Sequence, residues 1–205
     1  MRMFPFDAIL FDVGGVLLTN GWDHRERAAA VEHFNLDAED LEARHLAIFA
    51  AWERDAIDVN AYLDQAVFYK PRPFSRDEFF EFVLSQSKLL ADGAFSILRE
   101  IAASDRCVVG VLNNEARATN EYRFGKFGLR EYFQVAFSSC YLGLRKPDRA
   151  MYRRALDILG RPPERVLFID DRQQNVDGAM TTGMKAIRFG NRDALKGELM
   201  KLGVL

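Results

Sequence analysis

The residues whose types could carry chemistry stand at the ends of apolar runs. The first is Asp12 in FDVGGVLL, where the run AILF leads a carboxylate into a glycine pair, Gly14 and Gly15. A carboxylate in this setting acts as a nucleophile or a metal ligand, or it caps a helix. A partner acid would be expected two positions after such a nucleophile, and Gly14 stands there.

A second acidic stretch, Asp170–Asp171, follows the apolar run VLFI. Adjacent buried carboxylates repel each other unless they share a cation. A few carboxylates, completed by water and substrate phosphate, describe a Mg²⁺ site, and the alternative is that one of the pair only caps the next helix. Lys146, in GLRKPD, is a surface lysine if it stands alone and a phosphate counter-ion if it lies beside such a site.

Composition narrows the classes of function. The 205 residues include 28 basic and 30 acidic ones, and the formal net charge of −2 gives no electrostatic basis for binding nucleic acid. The N-terminal apolar run is interrupted by Asp7 and Asp12, so we predict neither a signal peptide nor a membrane span. The two cysteines have neither disulfide nor metal-site spacing, and we expect a cytoplasmic protein. No sequence feature decides its oligomeric state.

Five apolar segments predict the strands that position these residues, at 8–11, 107–112, 134–138, 166–169 and 185–189. Their near-continuous hydrophobicity is typical of strands covered on both faces. Helical stretches follow the later strands at 116–127, 149–159, 176–182 and 193–202. The alternation predicts an α/β fold with a doubly wound, mainly parallel, five-stranded Rossmann-like sheet. Polar residues at the carboxyl ends of its strands then share one edge, where ligands bind.

The segment between the first two strands carries helix signals and no strand candidate. Asp37 and Asp58 are placed to cap helices, and Ser75 with Glu78 fits a capping box. We therefore predict an inserted all-helical cap domain at 20–90. The core domain is then formed by 1–19 and 91–205.

Four stretches resemble, in order and at similar spacing, the motifs of the haloacid dehalogenase superfamily of hydrolases: FDVGGVLL, VLNN, GLRKPDRAMY and VLFIDDRQQNV. The helical insertion is similar to the type 1 cap of its phosphatase-rich subfamily I. The resemblance implies a Mg²⁺-dependent phosphatase that acts on a small phosphorylated metabolite, such as a sugar phosphate. In that family Asp12 would form an aspartyl phosphate, and Asp12, Asp170 and the backbone of Gly14 would hold the metal.

The same resemblance assigns the remaining site residues. Lys146 would neutralise charge during catalysis, and together with Asn113 and Asn114 it would bind the phosphate. Asp171 and Asn175 would support the metal's waters or Lys146. Asn113 departs from the family pattern, which usually has Ser or Thr there, although an amide also donates hydrogen bonds.

Gly14 is the larger departure, because phosphatases of the family usually have an aspartate there that moves protons. Losing a general acid–base typically costs about 10²–10⁴-fold in rate. Such an enzyme suits substrates whose leaving group departs without being protonated. Alternatively, a substrate hydroxyl or another residue supplies the proton. His24 is the nearest ionisable candidate, although its position suits a solvated helix face better.

Two other functions stay open. One is a catalytically weak or inactive protein of this fold with a binding or regulatory role, which the missing acid favours. The other is a metal-free 2-haloacid dehalogenase, in which Asp12 attacks carbon. The paired acids Asp170–Asp171 count against dehalogenation, because they indicate a metal.

Overall fold

The protein is built on a parallel five-stranded sheet, seen in a computed structural model that describes residues 4–205. The strands are β1 (Ala8–Phe11), β2 (Val108–Asn113), β3 (Val135–Ser138), β4 (Val166–Asp170) and β5 (Lys185–Arg188). Their spatial order is β3-β2-β1-β4-β5, and every pair is parallel. The predicted α/β sheet is confirmed, with strand ends within two residues of the prediction.

Helices occupy most of the remaining chain. Five lie between β1 and β2: α1 (His24–Phe34), α2 (Ala38–Glu53), α3 (Val59–Ala66), α4 (Arg76–Ser85) and α5 (Phe95–Ser104). Five follow β2: α6 (Arg117–Lys126), α7 (Ser139–Leu142), α8 (Arg149–Leu159), α9 (Gln173–Met180) and α10 (Arg192–Lys201). Short 3₁₀ turns cover Leu129–Glu131 and Pro163–Arg165. Helix α5 is not among the stretches that the sequence pattern predicts to be helical.

Strand alternation divides the core between two faces of the sheet. Phe11, Val111 and Ile169 pack on one face with side chains of α5, α6 and α10. Leu10, Leu112 and Phe168 pack on the other with α8 and α9. Because both faces are covered by helices, β1 and the buried parts of β2 and β4 are almost continuously apolar, as the doubly wound prediction requires.

The four helices α1–α4, called the inserted helices below, enclose a separate apolar cluster. Asp37 and Asp58 accept hydrogen bonds at the starts of α2 and α3, and Ser75 with Glu78 forms the predicted capping box of α4. Trp22, Trp52 and other aromatic and aliphatic side chains are buried between them. The domain division at 19/20 and 90/91 stays a prediction, and its residues 1–3 lie outside the described part of the chain.

The helices were also compared with the length and apolarity that a membrane span needs. Within residues 4–205 no helix meets both requirements.

Candidate active site

The acidic residues Asp12, Asp170 and Asp171 converge at the carboxyl edge of the sheet. β1 lies beside β4, and Phe11 pairs with Ile169, so the next residues along the two strands are Asp12 and Asp170. The backbone N–H of Asp12 donates to the Ile169 carbonyl at 2.8 Å and continues this ladder. One carboxylate oxygen from each of the three acids lies within 4.8 Å of the others. Two sequence-distant motifs thus meet because their strands are neighbours.

Lys146 lies between two of these carboxylates. Its Nζ is 2.6 Å from Oδ2 of Asp170 and 3.0 Å from Oδ2 of Asp12. The lysine is 3% exposed, so the surface alternative raised by its sequence does not hold. A buried ammonium that contacts two buried carboxylates neutralises part of their charge.

The positive charge of Lys146 does not balance the negative charge of the three acids. Burial raises the pKa of Asp12, and Asp170 and Asp171 raise it further against the opposing effect of Lys146. Burial and the charge of Asp170 also raise the pKa of Asp171. Asp170 itself is held ionised: burial disfavours its charge, but Lys146, Asn175 and the Arg172 backbone outweigh this and lower its pKa. A further cation near the acids would stabilise all three in the charged form.

Gly15 gives Asp171 its place in this cluster. The glycine has φ +72°, and a Cβ on it would overlap the Asp171 carboxylate. Oδ1 of Asp171 is buried and has no hydrogen-bond partner among residues 4–205. An unpaired carboxylate oxygen beside two other acids is the donor that a hard divalent cation requires. The residues present therefore fit a Mg²⁺ ion, with Asp12, Asp170 and Asp171 as the available carboxylates.

Asn175 and Asn114 brace this arrangement through side-chain amides. Asn175 Nδ2 donates to both carboxylate oxygens of Asp170, at 3.0 and 3.1 Å. Asn114 donates to the Lys146 carbonyl and accepts from the Lys146 N–H, both at 2.9 Å. The two Asn114 bonds fix the backbone that carries the lysine. The phosphate-binding role expected for Asn114 stays a prediction.

Asn113 is the one predicted site residue that turns away from Asp12. It is 2% exposed, and its Nδ2 donates to Oδ1 of Asn120 in α6 at 2.9 Å. In β2 the residue level with Asp12 is Leu112, so Asn113 has the opposite alternation and points to the other face. Its phosphate contact stays a prediction that this arrangement does not favour.

Comparison with protein families identifies the chain. A family model described as haloacid dehalogenase-like hydrolase matches residues 6–180, which is most of the sequence. The chain belongs to the haloacid dehalogenase-like hydrolase family. The family and hydrolase class expected from the four motifs are thereby confirmed.

Two curated relatives and one solved structure illustrate the kinship of this hydrolase. Flavin mononucleotide hydrolase 1 of Arabidopsis thaliana is 32% identical over 170 residues, which are 80% of this chain and 65% of that protein. Drimenol cyclase drtB of Aspergillus calidoustus is 28% identical over 200 residues, 95% of this chain and 36% of that protein. The chain thus spans less than two thirds of the length of either relative.

The solved structure is a wild-type haloacid dehalogenase family enzyme from Bacteroides thetaiotaomicron in complex with magnesium and inorganic phosphate. It superposes with a TM-score of 0.75 at 18% identity and covers 91% of this chain and 95% of that one. At this identity the likeness establishes a shared fold.

A cavity of about 510 Å³ opens above Asp12 in this hydrolase, between the sheet edge and the inserted helices. Its lining includes Asp12, Gly14, Asn20, Lys146 and Trp52. His24, the candidate proton source, also lines it, but as the first residue of α1 with its side chain 73% exposed. Arg145 and Arg172 line the cavity as well, each paired with an acid, Glu53 and Asp23 respectively.

The end of α2 is tied to the strand-end loops by consecutive charged residues. Three ion pairs are present: Glu53–Arg145, Arg54–Asp148 and Asp55–Arg117. The Ser139 hydroxyl adds a hydrogen bond to the Glu53 carbonyl at 2.7 Å. These contacts hold the inserted helices over the loop that carries Lys146. These ion pairs could not be predicted from the sequence, because none of the six charged residues is unusual in its own stretch of sequence.

Proposed function

We propose that this hydrolase is a Mg²⁺-dependent phosphatase that cleaves a small phosphate monoester through an aspartyl phosphate on Asp12. The observation that carries the proposal is the contact of Asp12 with Lys146 inside an acidic cluster at the floor of the cavity. A sheet that needed only stability would gain nothing from burying two carboxylates beside one lysine, with a third carboxylate next to them.

The proposed reaction has two displacements. In the first, a carboxylate oxygen of Asp12 bonds to phosphorus as the ester P–O bond breaks, and the leaving-group oxygen departs with the bonding electrons. In the second, the oxygen of a water molecule bonds to phosphorus as the bond to Asp12 breaks. Inorganic phosphate leaves with the protons of the water, and the free carboxylate of Asp12 is restored. The Asp12 side chain is oriented for this by the Val13 N–H, which donates to its Oδ1 at 2.8 Å.

Lys146 and the metal site share the electrostatic work. Asp12, Asp170 and Asp171 would hold Mg²⁺, with the backbone carbonyl of Gly14 as a further ligand implied by the family resemblance. When bound, Mg²⁺ supplies positive charge to the phosphoryl oxygens. Lys146 neutralises the carboxylates and the incoming phosphate, and Asn114 and Asn175 keep it and Asp170 in position.

The relatives support a phosphorylated small molecule as substrate. One carries the name of a flavin mononucleotide hydrolase, and the fold neighbour was solved with magnesium and inorganic phosphate. The cavity has room for a metabolite-sized leaving group such as a sugar, and its mixed aromatic and charged lining suits a polar one. Neither nucleic acid nor a membrane is a proposed partner, and the cytoplasmic location stays a prediction.

Phosphate release from an aryl phosphate tests the proposal, because an aryl leaving group needs no proton. We expect release with Mg²⁺, none with EDTA, and none from Asp12→Asn. Asp193→Asn is the matched control, since that carboxylate is 86% exposed and outside the cavity lining. Release that continues in EDTA or in Asp12→Asn would refute the mechanism. Absence of release from the unaltered protein would favour the binding or regulatory role instead.

A further inference from the structure

The space beside Gly14, where an acidic side chain at that position would lie, is filled by the side chain of Asn20. A Cβ placed on Gly14 would lie 2.9 Å from Oδ1 of Asn20 and 3.5 Å from its Cα. Gly14 and Asn20 both line the cavity with Asp12. A carboxamide therefore fills the space next to the nucleophile that a longer side chain at 14 would need.

The backbone on either side of Asn20 is held in place. Thr19 donates from its N–H to the Lys88 carbonyl and from its hydroxyl to the Gln86 carbonyl, at 2.9 and 2.8 Å. Its own carbonyl accepts from Arg123 of α6 at 2.5 Å. Gly21, on the other side, has φ +62°, and a Cβ there would lie 2.8 Å from the Arg123 guanidinium. Asn20 is thus presented from a fixed segment rather than from a free loop.

The Asn20 side chain also makes no hydrogen bond to residues 4–205. Among residues 4–205, the side-chain hydrogen bonds at this point of the chain belong to Thr19, and none involves the Asn20 amide. An amide that is held in place, lines a cavity and has no protein partner is available to a ligand. Its neighbours in the lining, Asp12 and Lys146, are the groups that would meet the phosphoryl group.

We infer that the Asn20 amide contacts the leaving-group oxygen of the phosphate ester, in the place where an acid at residue 14 would stand. The inference rests on the proposed phosphatase function and deepens it. Oδ1 of Asn20 faces residue 14 in the structure. Rotation about Cβ–Cγ, which no side-chain hydrogen bond within residues 4–205 opposes, brings Nδ2 to that place. The amide N–H then stabilises negative charge on the leaving oxygen, but it has no proton to transfer. The enzyme then favours substrates whose leaving group departs as a stable anion, namely aryl and enol phosphate esters and acyl phosphates, over simple alkyl phosphates.

A series of aryl phosphates with increasing leaving-group pKa tests the contact at saturating Mg²⁺. We expect Asn20→Ala to lower kcat/KM by about 100-fold for the poorest leaving group and much less for the best, since a lost donor matters most where charge develops most. Asn20→Asp, which keeps the shape, should flatten the dependence on leaving-group pKa. It should also add a loss of activity at high pH, where the new carboxyl ionises. Asn60→Asp, on an exposed position of α3, is the matched control. It should change neither the dependence on leaving-group pKa nor the pH profile.

The outcomes separate this contact from the phosphatase function itself. If the unaltered protein shows no Asp12-dependent turnover, the proposed function fails and the contact fails with it. If turnover is present but both Asn20 variants keep the unaltered slope and pH profile, only the contact is overturned. Melting temperatures of each variant, with and without Mg²⁺, show whether an equal loss on all substrates comes from misfolding. An equal loss in a folded variant also contradicts the contact.

Discussion

Lys146 Nζ lies 2.6 Å from Oδ2 of Asp170, and both side chains are almost completely buried. The pair joins the loop between α7 and α8 to the end of β4, and the same ammonium reaches Asp12 just after β1. A single side chain thereby sets the charge of the nucleophile and of the acidic cluster together.

Replacing this lysine should therefore disable the site. Lys146→Met keeps the length and removes the charge, so Asp12 and Asp170 face each other without their cation. We expect kcat for an aryl phosphate to fall by about 10²–10³-fold, the usual loss for one group that stabilises a transition-state charge. Lys201→Met, at a position 73% exposed, should retain full activity. Near-normal turnover in Lys146→Met would contradict the role given to the ammonium.

Gly15 offers a separate test of the acidic cluster. Gly15→Ala puts a Cβ into the Asp171 carboxylate and also strains a backbone with φ +72°. Gly160→Ala has similar strain at φ +61°, but its Cβ would have no heavy atom of residues 4–205 within 4 Å, so it is a matched control. Both should lose about 1–2 kcal/mol of unfolding free energy from the left-handed backbone. Only Gly15→Ala should weaken Mg²⁺ binding, measured by titration calorimetry, and equal affinities in the two variants would argue against Asp171 at the metal.

Restoring an acid at residue 14 should work only when space is made for it. Gly14→Asp alone brings its Cβ to 2.9 Å from the Asn20 amide, which must move. We expect Gly14→Asp with Asn20→Gly to hydrolyse alkyl phosphates faster than Gly14→Asp alone, because the new carboxyl can then donate a proton to the leaving oxygen. Steady-state kinetics of the two variants on an alkyl and an aryl phosphate measure the difference. The idea fails if the second substitution brings no gain on the alkyl ester.

Acid should destabilise the inserted helices through His45. Trp22 Nε1 donates to the Tyr62 hydroxyl at 2.7 Å, and the same hydroxyl is hydrogen-bonded to His45 Nδ1 at 2.8 Å. Burial, and after it the positive charge of Arg27, lowers the pKa of His45 to about 4. The unfolded chain binds a proton near pH 6.5 while the folded chain does not. The free energy of unfolding should therefore fall as pH drops from about 6.5 towards 4, by up to about 1.4 kcal/mol per pH unit.

The measurement is urea unfolding at pH 7 and pH 5, with His45→Gln as the comparison. Glutamine keeps an acceptor for Tyr62 but does not titrate. Between these pH values the unaltered protein should lose about 2 kcal/mol more than His45→Gln. Equal losses would show that His45 is not the group responsible.

Much of the fold follows from local sequence. Runs such as AILF and VLFI favour strands covered on both faces because they are short and alternate with helical stretches. Asp37, Asp58 and Ser75 cap helices with side chains only three residues from their partners. The acids at the strand ends could be predicted to meet because parallel strands place their carboxyl ends on one edge. In the structure Asp12, Asp170, Asp171 and Lys146 lie close together at this edge, and the roles given to them stay predictions.

What the sequence by itself determined is thus the order of elements, the edge that carries the polar groups, and the family. The tertiary structure decided which way those groups point and what surrounds them. Asn113 turns away from Asp12 because strand alternation in β2 puts Leu112 at that level. Asn20 reaches Gly14 because Arg123 and the segment 86–88 hold Thr19. Such contacts join residues far apart in the chain, and no local pattern encodes a distance that only packing sets.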